Sequence, residues 1–154
     1  MADPVRLQVA HVYQREEADC VPACALMLLG YLGVSISFER VKNILGTRDI
    51  GTLASQIRKL ESLNLTVIYQ RGTFDDLYQH LSNNRPCIAF VMTGELPYWD
   101  DDRSHAVVVV GLDDTMIYLN DPAFPNAPTP VSRGDFDLAW LEWDEMYATL
   151  IRKQ

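Results

Sequence analysis

The hydrophobic rhythm of the chain changes part-way along. From Val21 to Leu29, VPACALMLL, nine positions pass without a charge. This predicts a buried helix running to Tyr31 or Leu32 and stopped by Gly33. Pro22 falls in its first turn, where a missing N–H costs nothing. Upstream, residues 7–13 alternate loosely and predict a short strand, and Glu16, Glu17 and Asp19 predict a polar loop. Downstream, Ser37 is expected to cap a second helix through about Leu45, ended by Gly46. Thr52 is expected to cap a third, with Leu53, Ile57, Leu60 and Leu63 at helical spacing and Arg58, Lys59 and Glu61 opposite them. Residues 65–70 read as a strand, 73–81 as a fourth helix with Phe74, Leu77 and Leu81 inward, and 86–92 as a near-continuous apolar strand.

Beyond Gly94 the pattern turns to strands. Residues 94–103, GELPYWDDDR, read as a polar and aromatic loop. Residues 105–111 and 115–121 read as the two strands of a hairpin turning at 112–114. The stretch 122–130, PAFPNAPTP, holds four prolines and cannot be regular. A short helix over 133–140 and a strand over 146–152 follow. Helices first and strands second predict an α+β fold, the opening helices packed on a C-terminal antiparallel sheet. With 154 residues, 48% of them hydrophobic, the chain can bury one proper core, and one domain over residues 1–154 is expected.

Composition narrows the partners. Lys and Arg number 13 against 21 Asp and Glu, a formal net charge of −8 that repels a phosphate backbone or an anionic membrane surface, so nucleic acid is not an expected partner. No apolar stretch reaches the ~20 residues of a membrane span. Three cysteines, without a basic and apolar leader, predict reduced thiols in a cytoplasm rather than a disulfide framework.

The buried helix begins at a cysteine, Cys20, immediately after Asp19. First-turn amides lack internal partners and carry the positive end of the helix dipole, which favours thiolate, the form that attacks carbonyls. A thiolate needs a base, and the base needs an orienter. With a three-residue turn centred on Asp113, His105 and Asp121 each lie eight residues from the centre. Directly opposed residues share a face with Cβ atoms ~5 Å apart, close enough for a carboxylate to accept an imidazole N–H. A two-residue turn would break that register. Gln14, six residues before Cys20, can complete an oxyanion hole with the Cys20 amide. Such donors are each worth roughly 2.7–4 kcal/mol of transition-state stabilisation.

These residues also carry a resemblance. Gln14, the run Asp19-Cys20-Val21-Pro22-Ala23, the helix end Gly30-Tyr31-Leu32-Gly33, the strand from His105 to Gly111 and Asn120-Asp121-Pro122-Ala123 resemble the bacteriocin-processing cysteine peptidases. Those are papain-like peptidase domains, best known at the front of ABC exporters that cut leader peptides after a double glycine. The resemblance implies a papain-like fold and a cysteine peptidase with Cys20 as nucleophile, His105 as base and later acid, Asp121 as orienter and Gln14 as oxyanion donor. A peptide or protein substrate, a separate exporter as partner and no cofactor follow from it. Two departures stand out. Val21 replaces the glycine that usually follows the cysteine and can narrow the approach of the scissile peptide. The chain also ends at Gln154 without transmembrane or ATPase segments, which predicts a free-standing member.

Other readings compete. Cys20, Cys24, His105 and Asp121 are zinc-ligand types, yet zinc sites draw paired ligands from loops, and the His105–Asp121 pairing suits a triad better, so no metal is expected. The same triad serves transglutaminase-type acyl transfer, and a papain-like domain can also hold a peptide without cutting it. The acidic residues Asp100 to Asp102, with Tyr98 and Trp99 exposed beside them, are expected to form one lip of the cleft and the proline-rich 122–130 the other. Such lips favour an extended, basic peptide.

Overall fold

The computed structural model describes residues 3–154, so Met1 and Ala2 of the expected domain lie outside the described residues. Its centre is an antiparallel sheet of seven strands among the described residues: β1 (Val5–Arg6), β2 (Leu65–Arg71), β3 (Cys87–Met92), β4 (Ser104–Leu112), β5 (Met116–Asn120), β6 (Thr129–Ser132) and β7 (Met146–Arg152). Their order is β2-β7-β3-β4-β5-β6, with β1 paired to β4. The class is α+β, as the order of patterns predicts.

Helices α1 (Cys20–Tyr31) and α2 (Phe38–Leu45) cover one face. There Met27, Leu28, Val41 and Leu45 pack against Ile88, Phe90, Val108 and Leu150. Helices α3 (Phe74–Ser82) and α4 (Arg133–Leu141) cover the other, setting Leu77, Leu81, Phe136 and Trp140 against Ala89, Val107, Val109 and Leu119. The strands β3 and β4 are therefore buried on both faces, which is why they read as continuous apolar runs rather than as alternation.

Local signals explain the helix ends. The Ser37 hydroxyl accepts from the Arg40 N–H at 3.1 Å, and Gly46 closes α2 in the left-handed region at φ 66°. Thr73 caps α3 in a reciprocal box with Asp76.

Three expectations change. Residues 7–13 run as an extended segment with only β1 before them regular; Leu7 N–H reaches Val110 O at 2.7 Å, but no ladder forms. The third helix is a 3-10 helix, Ala54–Leu63. Thr52 does not cap it, because its hydroxyl is bonded to that of Thr47 at 2.6 Å, and Leu53 is turned outward, 75% exposed. The inward Ile57 and Leu60 are three apart, the spacing of a three-residue turn. The polar loop before α1 is a 3-10 turn, Glu17–Asp19, in which Asp19 is buried and ion-paired with Lys42 at 3.2 Å.

The hairpin also differs from its expected register. The Asp113 carboxylate accepts from the Thr115 and Met116 amides at 3.0 and 2.7 Å, which tightens the turn onto Asp114 and Thr115. Leu112 then pairs with Ile117 and Gly111 with Tyr118. Continued, that register would set Val108 opposite Asp121 and leave His105 on the other face. A bulge at Val110 intervenes, after which Val109 pairs with Leu119 and Val108 with Asn120. Val107 thus comes opposite Asp121, with His105 two residues along on the same face. The pair is diagonal instead of directly opposed, and still within side-chain reach.

Candidate active site

Cys20 opens α1 and is half-buried at the mouth of a cleft of about 340 Å³. His105, at the start of β4, lines the same cleft and is 6% exposed. Asp121, just past β5, is fully buried. His105 Nε2 lies 2.7 Å from Asp121 Oδ1. A carboxylate only accepts, so Nε2 carries the hydrogen and Nδ1 is left as the ring nitrogen for the Cys20 side chain, which interacts with this imidazole from the cleft. The structure therefore brings together Cys20, His105 and Asp121.

Asp121 is held from four directions. Oδ1 accepts from His105 and from the Ala123 N–H at 2.9 Å; Oδ2 accepts from the Tyr98 hydroxyl at 2.7 Å and from Trp99 Nε1 at 2.9 Å. The Trp99 ring also meets the His105 ring edge-on, centroids 4.8 Å apart, and Phe124 packs on both aromatics. Tyr98 and Trp99 are thus half-buried positioning residues, not an exposed lip. The sequence does carry a signal for them: two aromatic side chains with hydrogen-bond donors lie just upstream of the histidine. Tyr98→Phe leaves Oδ2 with one donor. It is expected to destabilise the fold by about 1–3 kcal/mol, the scale of a hydrogen bond to a charged group, measurable by urea unfolding.

Burial pushes His105 down, but the hydrogen bonds and charges of Asp121 and Cys20 outweigh it and raise the imidazole to about 9. Burial pushes Asp121 up, and the bonds from His105, Tyr98 and Ala123 more than reverse this, leaving it below the usual carboxylate range. The linkage signs follow. The stability contributed by the raised histidine is complete below its unfolded value near 6.5 and is lost as pH rises through about 9. That of the depressed aspartate is present above 3.8 and is lost as pH falls through its lower folded value. Melting temperature is expected to drop between pH 6.5 and 9 in the wild type and to change less in His105→Ala, as differential scanning calorimetry would show.

Gln14 is placed differently from the other three. Its backbone N–H donates to Pro122 O at 2.8 Å, tying it beside the Asp121 loop. Its side-chain Nε2 donates to Glu16 O at 3.1 Å, and neither Cys20 nor His105 is a partner. Cys24, one turn along α1, is completely buried, and its thiol is raised well above its ordinary value by burial, then by Cys20 and Asp121. Burial likewise raises Cys87 to about 12.

The walls of the first cleft are not the expected lips, whereas Trp99, Ala123 and Phe124 line a neighbouring cavity. Residues 50–55 form one side, with Ile50 and Leu53 exposed, and Trp143, Tyr69 and Phe90 contribute to the rest. Val21 is 4% exposed and forms part of the lining. In the acidic loop, Asp102 accepts from the Gly94 N–H at 2.9 Å and Asp101 pairs with Arg103, so two of its three carboxylates serve the loop itself.

Residues 8–149 match the model of the peptidase C39 family. The chain belongs to the peptidase C39 family. These are cysteine peptidases, and the chain is one by that membership. Over 114 residues it is 31% identical to the lactococcin-G-processing and transport ATP-binding protein LagD of Lactococcus lactis subsp. lactis, covering 73% of this chain and 15% of that protein's length. Solved structures share the fold. A C39-like peptidase from Bacillus anthracis superposes with a TM-score of 0.82 at 17% identity over 99% of both chains. The peptidase domain of Streptococcus ComA, a bi-functional ABC transporter, gives 0.78 at 20% over 95% and 100%. A double glycine motif protease from an AMS/PCAT transporter, solved with its leader peptide, gives 0.75 at 20% over 99% and 100%. No helix among the described residues is long and apolar enough to cross a membrane.

Proposed function

We propose that this C39 peptidase is a single cytoplasmic domain that hydrolyses a peptide bond, such as that joining a leader to its cargo, through a Cys20–His105–Asp121 triad and an acyl-enzyme. The observation that carries the reading is the imidazole of His105, held by a buried carboxylate on Nε2 and lining the same cleft as Cys20. The raised histidine retains a proton at neutral pH. Cys20 Sγ attacks the carbonyl carbon, and the tetrahedral oxyanion is held by the Cys20 N–H and the second Nε2 hydrogen of Gln14. His105 gives its proton to the leaving nitrogen, the C–N bond breaks, and a thioester remains. His105 then takes a proton from water as the water attacks the thioester. The acid leaves, freeing Cys20 Sγ with the proton held on His105 as at the start. Because the imidazolium is needed to protonate the amine, kcat/KM is expected to fall above a pH near 9, as a pH–rate profile would show.

Trapping tests the reading directly. Iodoacetamide is expected to label Cys20 far faster than the buried Cys24 and Cys87, and His105→Ala is expected to slow that labelling. Equal labelling of all three thiols would defeat the proposal. In the related acyl-transfer chemistry, an added amine would capture the thioester in competition with water.

A further inference from the structure

A second cavity of about 420 Å³ lies beside the first, lined by Gln14, Glu16, Glu17, Trp99, Arg103 and Phe124 among others. Glu17 borders both cavities. It stands three residues before Cys20, and Arg103 stands two before His105. Their side chains meet at 3.1 Å, so this ion pair ties the cysteine side of the cleft to the histidine side. The catalytic pathway described above does not use it.

We propose that the second cavity receives the residues on the amine side of the cleaved bond and that Glu17 selects a basic side chain there. The proposal rests on the peptidase reading of Cys20. The assignment of sides follows from the chemistry. The acyl half stays on Cys20, which lines the first cavity and not the second; the amine half takes its proton from His105, which also lines the first cavity but whose edge-on neighbour Trp99 lines the second. The preferred charge follows from the ion pairs. Arg103 holds two carboxylates, Glu17 and Asp101, with its guanidinium over the Trp99 ring. A lysine or arginine of the substrate can take Glu17 while Arg103 keeps Asp101, and every charge remains paired. An acidic residue would have to compete with two carboxylates already on Arg103 and would leave one of them without a partner. Glu17 is the accessible member, its side chain 84% exposed against 39% for Arg103. The net charge of −8 favours the same sign of substrate at longer range.

The test is a proteome-derived peptide library digested by the full chain, with the new N-termini read by mass spectrometry. Wild type is expected to enrich Lys and Arg over Asp and Glu roughly two- to fivefold within the first three residues after the cut, the scale of an exposed ion pair. Glu17→Gln is expected to abolish that enrichment, and Glu61→Gln, which removes one exposed charge near the C-terminal end of the 3-10 helix and outside both cavity linings, to retain it. The readout is a ratio within one digest, so it does not depend on how much enzyme folds. Lack of enrichment, enrichment before the cut, or equal loss in both variants would overturn the proposal. Iodoacetamide labelling separates the two levels: indiscriminate cleavage with Cys20 selectively labelled overturns only the charge selection, whereas no cleavage with three equally reactive thiols overturns the peptidase reading and this inference with it.

Discussion

Cys20→Ser is expected to lower peptide turnover by a factor on the order of 10⁶, the scale seen when a covalent nucleophile is removed from a triad. The substitution keeps the size of the side chain at a half-buried position, so the fold is expected to change in stability by no more than about 0.5 kcal/mol. What is lost is chemistry. A hydroxyl ionises far less readily than a thiol, and the His105 imidazole, raised by Asp121 and Cys20, is poised to hold the proton of a thiol. Cys24→Ala gives the contrast, because that thiol is buried in the core behind α1 and has no access to the cleft. It is expected to cost about 1 kcal/mol of stability while Cys20 remains reactive. Turnover assays and unfolding curves on the two variants together separate catalysis from packing. A peptide bound equally by wild type and Cys20→Ala, and cut by neither, would instead mark a domain that holds peptides without cleaving them.

Much of this was legible in the chain because the signals are local. Ser37 and Gly46 bracket α2, Thr73 opens α3, and Pro22 sits harmlessly in the first turn of α1; each is a backbone requirement met within four residues. The run of apolar residues from Val21 to Leu29 needed no partner to be recognised as buried. The long-range geometry was harder. The spacing of His105 and Asp121 about Asp113 put the two on one face, and the structure does so too, but through two displacements that compensate. The Asp113 side chain moved the turn, and the bulge at Val110 returned the parity. Neither is fixed by spacing alone: the first depends on which amides a carboxylate chooses, the second on how β4 also pairs with β1 at Gly111 and Leu112. A Cβ at Gly111 would lie 3.0 Å from the Val5 carbonyl oxygen, so that pairing needs the glycine next to the bulge. Tyr98 and Trp99 were misread for a similar reason. Beside three aspartates they look solvated, and only the fold turns their donors onto a carboxylate more than twenty residues away.

Asp121→Asn is expected to reduce kcat/KM by about 10⁴ and to lower stability by about 1–3 kcal/mol, although the side chain is nearly isosteric. All four partners of the carboxylate are donors in the native arrangement: His105 Nε2–H, the Ala123 N–H, the Tyr98 hydroxyl and the Trp99 indole N–H. An amide offers one acceptor oxygen and one donor nitrogen. If its oxygen keeps His105 and Ala123, its NH₂ faces Tyr98 and Trp99. The hydroxyl can rotate to accept, but the indole N–H cannot. If the amide flips, Tyr98 and Trp99 are satisfied and the NH₂ faces the Ala123 N–H and forces His105 to accept at Nε2. The ring hydrogen then moves to Nδ1, and the nitrogen that should take the proton of Cys20 already has one. Either orientation leaves a buried donor against a donor, which accounts for the loss of stability, and the flipped one also disables the base. The negative charge is lost in both, so the imidazole falls from its raised value toward or below 6.5, burial now acting with less opposition. Adding Trp99→Phe to the variant removes the donor that resists the unflipped amide. The double variant is expected to regain part of the stability and some turnover relative to Asp121→Asn alone, and the alkaline limb of its pH profile is expected to shift below 9. Additive losses in the double variant would show that the Trp99–Asp121 contact does not set the orientation at this position.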